Sequence, residues 1–350
     1  MMSVVTSTRK RLKFTGYIKY DVLKNSKGYL VLSRVILLTT CSFCGREAVY
    51  VRRYSGERLC VGCFIRSIEK KVRRTVSRFA MFRPDEHIAV ALSGGKDSVS
   101  LLHVLGTIED AFPHASVSAI LIDEGVAGYR REAVEVAEES CTQLGIPLHL
   151  YSFSDLYGRS LDEIADASKG RGGLSVCSYC GVLRRKALNV AAKDLHASKL
   201  ALAHNLDDEA QSMMLSLLRG DLVGLARVRP VLEKAEGFVQ RVKPFCEILE
   251  TEIAFYAQVT GVRFQHRPCP YKETSMRSDV RRFITLLEDK HPGMTYGLYH
   301  SLRKIQANLE GLDAKEGLQL CQICGEPSSG TICRACQSLH DLGLTTAPST

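Results

Sequence analysis

Short apolar runs alternate with amphipathic segments between about residues 84 and 311. The apolar runs predict strands over residues 88–92, 117–122, 148–153 and 200–203. Apolar residues at helical spacing predict helices over residues 98–108, 131–144, 183–193 and 208–218. Strands that alternate with helices favour a parallel sheet with helices on both faces. The pattern therefore predicts an α/β fold with a doubly wound parallel sheet, whose ligands bind at the carboxyl ends of the strands.

A further helix is predicted just before this region, and its two faces differ in character. One stripe is apolar and consists of Ile65, Ile68, Val72, Val76 and Phe79. The opposite face is basic and consists of Arg66, Lys70, Lys71, Arg73, Arg74 and Arg78. We expect the apolar stripe to pack on the core and the basic face to meet solvent or nucleic acid.

The composition is that of a globular protein whose positive charge is unevenly placed. Of 350 residues, 45% are hydrophobic, and no apolar stretch approaches the roughly 18–20 residues that cross a membrane. The formal net charge is +9, and residues 1–34 hold eight Lys or Arg against one acid. Residues 64–83 hold seven against one. Clustered positive charge is typical of proteins that bind a polyanion, although a solvated basic surface gives the same pattern.

The hexapeptide Ser-Gly-Gly-Lys-Asp-Ser at residues 93–98 follows the first strand of the sheet directly and precedes a helix. Backbone N–H groups at a helix N-terminus bind phosphate oxygens, although a glycine pair after a strand also occurs in plain turns. The spacing differs from those of the Gly-x4-Gly-Lys-Ser/Thr and Gly-x-Gly-x-x-Gly loops. The full hexapeptide resembles the pyrophosphate loop of enzymes that split ATP into AMP and pyrophosphate.

Eight of the thirteen cysteines form two groups of paired Cys-x-x-Cys sequences, one on each side of the predicted sheet domain. The first group is Cys41, Cys44, Cys60 and Cys63, and the second is Cys321, Cys324, Cys333 and Cys336. Four thiolates at these spacings are typical of closed tetrahedral sites, so we expect two structural Zn²⁺ ions. Paired disulfides or an iron site are the alternatives.

Three further cysteines belong to the sheet domain: Cys177 and Cys180 form a Cys-x-x-Cys pair, and Cys269 lies in a Pro-Cys-Pro-Tyr sequence. A buried structural pair and a redox-active pair that carries a persulfide or a disulfide are two explanations. The third, which we favour, is an iron–sulfur cluster held by all three, since Cys followed by Pro is common at such clusters. Cys141 and Cys246 are expected to be inert and partly buried.

The chain contains the hexapeptide at residues 93–98, the three cysteine groups and the sequence Ala-His-Asn-Leu-Asp-Asp-Glu at residues 203–209. In this combination the chain resembles the TtuA-like tRNA 2-thiouridine synthetases of the TtcA/TtuA superfamily, which are PP-loop ATP pyrophosphatases. The resemblance covers residues 41 to about 340. With the charge pattern, it predicts a basic extension (1–38), a zinc module with a linking helix (39–75), a PP-loop catalytic domain (76–312), a second zinc module (313–340) and a tail (341–350).

The resemblance also implies a nucleotide site. ATP would place its phosphates on Ser93, Gly94, Gly95, Lys96, Asp97 and Ser98. Lys96 would stabilise the transferred charge, and Asp97 would hold Mg²⁺ or the phosphates. The adenine would contact the strand ends around Ala91 and Ile122, and the backbone near Ala203 would complete the pocket.

The same resemblance assigns the sulfur side of the site. Cys177, Cys180 and Cys269 match the ligands of a [4Fe-4S] cluster with one open iron. Arg184 matches a basic nucleotide contact, which is often lysine in the family, and Asp208 matches an essential acid. Alternatively, Asp208 is an ordinary first-turn acid, and His204 and Asn205 end a strand and cap the next helix.

The implied function is an ATP-dependent tRNA sulfurtransferase, which adenylates the C2 oxygen of a uridine and replaces it with sulfur held on the cluster. We expect the T-loop uridine to be the substrate, with the wobble uridine, or thiolation by a persulfide pair without a cluster, as alternatives. An amidotransferase or a ligase of the lysidine type, and a zinc-module RNA-binding scaffold, are the other hypotheses. The expected partners are tRNA, a ubiquitin-like thiocarboxylate sulfur donor and a second copy of the chain, in the cytoplasm and without a membrane.

Overall fold

The computed structural model describes residues 40–109, 114–171, 174–272, 275–309 and 318–344, together with the backbone of three strands nearer the N-terminus. The chain divides into two compact units, residues 1–67 and 68–350. The domain boundary expected between residues 312 and 313, and residues 345–350 of the expected tail, lie outside the described residues.

The first unit contains two small antiparallel sheets. Strands β1 (Lys10–Phe14), β2 (Ile18–Lys24) and β3 (Leu30–Leu37) pair in that order. Strands β4 (Tyr50–Arg52) and β5 (Glu57–Leu59) form a hairpin. Helix α1 (Val61–Arg78) begins directly after this hairpin and continues into the second unit.

The second unit is centred on a five-stranded sheet. Its strands are β6 (His87–Ala91), β7 (Ser116–Asp123), β8 (Leu148–Ser152), β9 (Lys199–Ala201) and β10 (Gln240–Val242). They lie in the order β10-β9-β6-β7-β8, and every neighbouring pair is parallel. The order reverses at β6, so a crevice opens beyond the carboxyl ends of β6 and β9. The predicted α/β fold with a parallel sheet is confirmed.

Helices connect these strands and cover both faces of the sheet. They are α2 (Lys96–Glu109), α3 (Arg130–Leu144), α4 (Phe153–Tyr157), α5 (Leu161–Ser168), α6 (Val176–Asp194), α7 (Leu206–Leu218), α8 (Leu222–Ala226), α9 (Glu250–Thr260), α10 (Met276–Lys290) and α11 (Met294–Ala307). Strands β11 (Gln319–Leu320) and β12 (Pro327–Ser328) then form a hairpin, followed by α12 (Arg334–Asp341). Among the described helices, none has the length and apolarity that a membrane span requires.

Side chains of the central strands alternate between the two helical layers. Ala89 and Ile120 belong to the apolar cluster that also contains residues of α5, α6 and α12. Val90 and Leu121 occupy the alternate positions and are fully buried on the face where α2 and α3 pack against β7. Because both faces are covered, these strands are almost continuous apolar runs.

Two elements of the sheet domain differ from expectation. Helix α6 begins at Val176 rather than at residue 183, because the Ser175 side chain caps it by accepting a hydrogen bond from the Ser178 N–H. The helix therefore includes Cys177 and Cys180 in its first turns. Strand β10 was not predicted, since it has only three residues and two of them are polar.

Helix α1 has the two faces that its sequence predicts, with one exception. Ile68 and Val72 are fully buried, whereas Arg73 and Arg74 are exposed. Lys71 does not belong to the exposed basic face. It is half-buried, and its Nζ donates to Glu252 (3.2 Å) and to the hydroxyl of Tyr296.

Candidate active site

The loop at residues 93–98 joins β6 to α2 in a conformation that requires glycine at its second position. Gly94 has a φ of +81°, and a Cβ there would lie 2.8 Å from both Cα and Cβ of Ala133. The Ser98 hydroxyl donates to the Gly95 carbonyl (2.9 Å) and accepts from the Ser93 N–H (3.1 Å). These bonds hold the loop at the N-terminus of α2, where backbone N–H groups and the helix dipole favour phosphate.

The lysine of this loop is held by two carboxylates. Lys96 Nζ donates to Asp97 (2.8 Å) and to Glu250 (2.9 Å), and Glu250 also accepts from Arg281 Nη2 (2.6 Å) on α10. Burial acts to lower the pKa of Lys96, but the two carboxylates outweigh it and the net pKa is raised. Burial raises the pKa of Asp97, and Lys96 only partly opposes that effect. Lys96 is therefore charged at neutral pH.

A cavity of about 540 Å³ opens beside the loop at the carboxyl ends of β6 and β9. Ala91 and Ala203 line it together with Ser93, Gly95, Asp97 and Ser98 of the loop. Six cations also line it: Arg184, Arg185, Arg227, Arg241, Lys243 and Arg277. We name it the nucleotide cavity, because apolar wall residues, a phosphate-binding loop and many cations suit a nucleoside polyphosphate.

His204 lies on the wall of the nucleotide cavity directly after β9. Its side chain faces the open cavity. The protein atoms around it displace water and so disfavour the charged ring, and the positive charges of Lys243, Arg277 and Arg241 act in the same direction, which lowers its pKa to about 3. The imidazole is therefore neutral at physiological pH and adds no charge to the cavity.

Residues 205–208 begin two helices. Asn205 Oδ1 accepts from the Asp208 N–H (3.0 Å) and Asp208 Oδ2 accepts from the Asn205 N–H (3.2 Å), a capping box that starts α7. Asp207 accepts from the N–H of Glu250 (2.7 Å) at the start of α9. Burial raises the pKa of Asp208, and it raises that of Asp207 to about 6. Asn205 and Asp208 thus cap α7. This is the structural role that the sequence offered as the alternative to a role in the site.

A second cavity of about 700 Å³ adjoins the first, because Arg277 lines both. Its walls include Cys177 of α6 and Asp208 of α7. The rest of the wall is mostly the polar face of α10, which contributes Arg277, Ser278, Arg281, Arg282, Thr285 and Asp289. We name it the cysteine cavity. The two cavities place a phosphate loop and a thiol in neighbouring spaces.

Three of the five other cysteines, Cys177, Cys180 and Cys269, lie near the N-terminus of α6. The Cys177 thiol is exposed and donates to the carbonyl of Tyr271 (2.8 Å), which holds the Cys-Pro-Tyr sequence with Cys269 beside the helix. Cys180 is buried, and burial raises its pKa to about 11 although Arg184 opposes the effect. Arg184 Nη2 donates to Cys180 Sγ (3.2 Å) and also lines the nucleotide cavity.

The segment after α9 connects the phosphate loop with these cysteines. The Gln265 N–H donates to the Gly94 carbonyl (2.8 Å), and its side-chain amide donates to the Tyr129 carbonyl (2.6 Å). Six residues further on, the Tyr271 hydroxyl donates to Asp162 of α5 (2.6 Å). Hydrogen bonds at both ends of one short segment thus fix the loop and Cys269 relative to each other.

Two protein families match this chain. A PP-loop domain matches residues 66–287, and the N-terminal LIM domain of 2-thiouridine synthetase TtuA matches residues 40–65. The tRNA-5-methyluridine(54) 2-sulfurtransferase of Pyrococcus horikoshii is 32% identical over 297 residues, which are 85% of this chain and 92% of that protein. Cytoplasmic tRNA 2-thiolation protein 1 of Laccaria bicolor is 32% identical over 305 residues, 87% and 85% of the two chains. The chain belongs to the TtuA-like tRNA 2-thiouridine synthetases.

A solved structure of a related thiolase has the same fold. The U34-tRNA thiolase NcsA from Methanococcus maripaludis with its [4Fe-4S] cluster superposes with a TM-score of 0.77 at 31% identity, covering 90% of this chain and 100% of that one. The family that the sequence motifs indicated is therefore confirmed.

Both four-cysteine groups of this TtuA-like chain are assembled for a metal ion. In each group the four Sγ atoms lie within 4.8 Å of one another, a spacing that suits one tetrahedral ion. A hydrogen bond from Arg46 lowers the pKa of Cys44 to about 6. In the second group, burial acts to raise the pKa of Cys321, but backbone N–H groups, first that of Cys333, lower it to about 6. The assignment of zinc to these groups stays a prediction.

The donor set at the start of α6 fits an iron–sulfur cluster. Among the described residues, Cys177, Cys180 and Cys269 do not form a group whose ligand atoms all lie within 4.8 Å. Cysteine thiolates are the usual ligands of iron–sulfur clusters, so the fit rests on the chemistry of the donor set. The Arg184 guanidinium favours the thiolate of Cys180, against the larger opposing effect of burial.

The structure places most, but not all, of the expected nucleotide contacts on a cavity wall. Gly94, Lys96 and Ile122 line neither cavity. Ile122 is buried, and its carbonyl accepts from Arg130 Nη2 (2.7 Å). Sequence reasoning assigned no role to Glu124 or Glu250. Glu124 had a signal, because it directly follows β7 at the carboxyl edge of the sheet. Glu250 had none, since it reaches Lys96 from a position 154 residues away.

Proposed function

We propose that this protein is an ATP-dependent tRNA sulfurtransferase that adenylates the C2 oxygen of a tRNA uridine and replaces that oxygen with sulfur. The observation that carries the proposal is the junction of the two cavities at Arg277, with the phosphate loop in one and Cys177 in the other. The uridine oxygen attacks the α-phosphorus of ATP and pyrophosphate leaves. Sulfur then bonds to C2, and the oxygen departs with AMP.

The phosphate loop and its lysine bind the leaving pyrophosphate. Backbone N–H groups of residues 93–98 face the phosphates, and Lys96 compensates their charge. The phosphates compete with Glu250 for Lys96, because that carboxylate accepts from Lys96 Nζ at 2.9 Å in the structure. Asp97, next to Lys96, holds Mg²⁺ or orients the phosphates. The adenine occupies the apolar wall at Ala91 and Ala203.

Arg184 and Asp208 act where the two substrates meet. Arg184 lines the nucleotide cavity and compensates charge that develops on the α-phosphate. Asp208 lines the cysteine cavity, where its carboxylate takes up the proton that uridine N3 loses as its oxygen is adenylated. A [4Fe-4S] cluster held by Cys177, Cys180 and Cys269 would supply an open iron position for sulfide.

The basic wall of the cysteine cavity suits the backbone of tRNA. Arg277 and Arg281 point to this cavity from α10, and Arg282 adds a third cation one position further along. Such cations bind phosphates without regard to sequence and orient the nucleic acid. A ubiquitin-like thiocarboxylate donor and a homodimer rest on the family resemblance alone. A cytoplasmic location is supported by the name of the Laccaria bicolor relative.

We predict that the modified uridine lies in the T-loop, with the wobble uridine as the alternative. Relatives named for position 54 and for position 34 are almost equally similar, at 32% and 31% identity. Overall similarity therefore favours neither position.

The decisive experiment incubates anaerobically purified protein with ATP, Mg²⁺, sulfide and unmodified tRNA. We expect AMP and pyrophosphate to form only when tRNA is present, and mass spectrometry of nuclease fragments to place one sulfur in the T-loop. Asp97→Asn should abolish AMP formation, while the exposed Asp85→Asn serves as a charge-matched control. A folded protein that binds tRNA but forms no AMP contradicts the enzyme and favours an RNA-binding scaffold.

A second measurement separates the cluster from the persulfide mechanism. The anaerobic protein should hold about four irons per chain, as a [4Fe-4S] cluster requires. Cys177→Ala and Cys269→Ala should each lose iron and thiolation, whereas Cys141→Ala should keep both. Full thiolation by iron-free protein, dependent on Cys177 and Cys180 but not on Cys269, would establish the persulfide alternative.

A further inference from the structure

A buried carboxylate connects the two halves of the proposed site. Glu124 is 3% exposed and directly follows β7. Its Oε1 lies 2.6 Å from Nε of Arg184 on α6, and its Oε2 lies 2.8 Å from Nε of Arg130 on α3. Each carboxylate oxygen therefore forms an ion pair with its own guanidinium, which compensates the cost of burying the charge, although the angle at Arg130 Nε does not make that contact a hydrogen bond.

The two arginines extend this connection in opposite directions. Arg184 Nη2 donates to Cys180 Sγ (3.2 Å), on the sulfur side. Arg130 Nη1 donates to the carbonyl of Ser93 (3.3 Å), the first residue of the phosphate loop. Five groups thus form one chain of polar contacts: Ser93, Arg130, Glu124, Arg184 and Cys180.

The geometry leaves part of the Arg184 side chain available to a ligand. Glu124 fixes Nε, and Cys180 accepts from Nη2, while the side chain remains 45% exposed and lines the nucleotide cavity. Without Glu124, the long side chain would regain its rotamers, and Arg130 and Arg184 would lose the anion between them. Asp123 does not replace it, because its Oδ1 lies 3.9 Å from Arg130 Nε.

We propose that Glu124 is a positioning residue, which holds Arg184 in the one orientation that serves both the nucleotide phosphates and the sulfur of Cys180. The proposal rests on the function proposed above. It assigns Glu124 no contact with a substrate. It holds that the effect reaches the reaction through Arg184 and not through Arg130 and the phosphate loop, so Glu124 and Arg184 must act as a unit.

The test is a double-mutant cycle with Glu124→Gln, Arg184→Met and the double variant. We expect Glu124→Gln to lower kcat for tRNA-dependent AMP formation by about 10- to 100-fold, the usual effect of losing an outer positioning group. In the Arg184→Met background the same change should have almost no further effect. Glu135→Gln, an exposed carboxylate on α3 that also pairs with an arginine, is the matched control.

The second readout needs neither the cluster nor turnover. Affinity for a non-hydrolysable ATP analogue, measured by calorimetry on iron-free protein, should fall about tenfold in Glu124→Gln and should show the same lack of additivity with Arg184→Met. If Glu124→Gln does not fold, Glu124→Asp takes its place, because it keeps the charge but is too short to reach both arginines.

Independent losses that add in the double variant, or unchanged affinity and kcat in a folded Glu124 variant, would overturn the proposal. The proposed function fails in a different way, through wild-type protein that forms no AMP with tRNA. In that case the calorimetric cycle still decides whether Glu124 acts through Arg184.

Discussion

At the scale of single residues, Gly94 is fixed by two independent constraints. Its φ of +81° disfavours any side chain, and a Cβ would meet Ala133 at 2.8 Å. The first constraint belongs to the loop itself, whereas the second exists only because α3 packs against the loop. Gly128 has only the first of these constraints, because its φ is +66° but no atom lies within 4 Å of a Cβ built there. Comparing the two glycines therefore separates the backbone constraint from the packing constraint.

Gly94→Ala should therefore be costlier than Gly128→Ala. We expect a loss of about 1–2 kcal/mol in Gly128→Ala from backbone strain alone. Gly94→Ala should lose about 1–3 kcal/mol more, because α3 or the loop must shift to relieve the contact. Urea unfolding measures both losses, and calorimetry should show weaker ATP binding only for Gly94→Ala. Equal losses in the two variants would show that Ala133 imposes no constraint.

The buried pair of Lys243 and Glu209 is the second residue-scale feature. Its Nζ–Oε distances are 2.8 and 2.9 Å, and the side chains are 9% and 2% exposed. Burial raises the pKa of Glu209, although Lys243 opposes the effect. Removing the lysine leaves a buried carboxylate that has no other ion-pair partner within 4 Å in the described part of the chain.

Lys243→Met should cost about 3–5 kcal/mol at neutral pH, the usual penalty for half of a buried pair. The Glu209 pKa in the folded variant then lies still further above its unfolded value. Stability is therefore retained at low pH, where Glu209 is protonated, and is lost as the pH rises through the folded pKa. Urea unfolding between pH 4 and 8 checks the sign. The double variant Lys243→Met, Glu209→Met should recover most of the loss, and a pH-independent loss would contradict the explanation.

At the scale of elements, helix α9 begins on a side chain from another helix. Its own N-cap residue, Leu249, makes no side-chain cap bond, and Asp207 of α7 accepts from the Glu250 N–H instead. Burial, followed by the nearby charges of Glu250 and Asp208, raises the pKa of Asp207 to about 6. The cap bond from the Glu250 N–H acts in the opposite direction but does not outweigh them.

This arrangement predicts a pH-dependent stability that Asp207→Asn removes. The folded pKa of about 6 lies above the ordinary aspartate value of 3.8. The stabilisation by Asp207 is therefore present below about pH 4 and is lost as the pH rises through 6. Asn keeps an acceptor oxygen without the charge. The variant should be more stable than the wild type by about 3 kcal/mol at pH 7 and close to it at pH 4. A variant that is less stable at pH 7 would show that the charge itself stabilises α9.

At the scale of the whole second unit, the C-terminal cysteine group is part of the core. Cys321, Cys333 and Cys336 belong to the same apolar cluster as Leu183 and Ala187 of α6. Lys186 of α6 donates to Cys336 Sγ (3.8 Å). The helix that presents Cys177, Cys180 and Arg184 is therefore packed against the proposed zinc module.

Cys333→Ser should destabilise this unit and not merely the module. Serine keeps the N-cap function of Cys333 for α12 but removes a strong metal ligand. We expect the thermal midpoint to fall by roughly 10 °C, because structural zinc contributes several kcal/mol and each kcal/mol moves the midpoint by about 2–4 °C. Gln337→Ala on the exposed side of α12 is the control. An unchanged midpoint together with loss of one zinc would show that the core does not depend on the metal.

The sequence by itself determined the class of fold, the phosphate loop and the grouping of the cysteines. These features are local, because apolar periodicity, a hexapeptide and Cys-x-x-Cys spacing are all set within a few residues. The start of α6 was placed too late, since its first turns are polar and only the Ser175 cap marks where it begins.

Only the tertiary structure decided which side chains meet at the site. Glu250 reaches Lys96 from 154 positions away, and Glu124 connects arginines from two helices that pack on either side of the sheet. The carboxyl ends of parallel strands bring such residues together wherever they lie in the chain. No local pattern specifies these contacts, because a carboxylate at a strand end has the same sequence signal whether it is solvated or buried between two guanidinium groups.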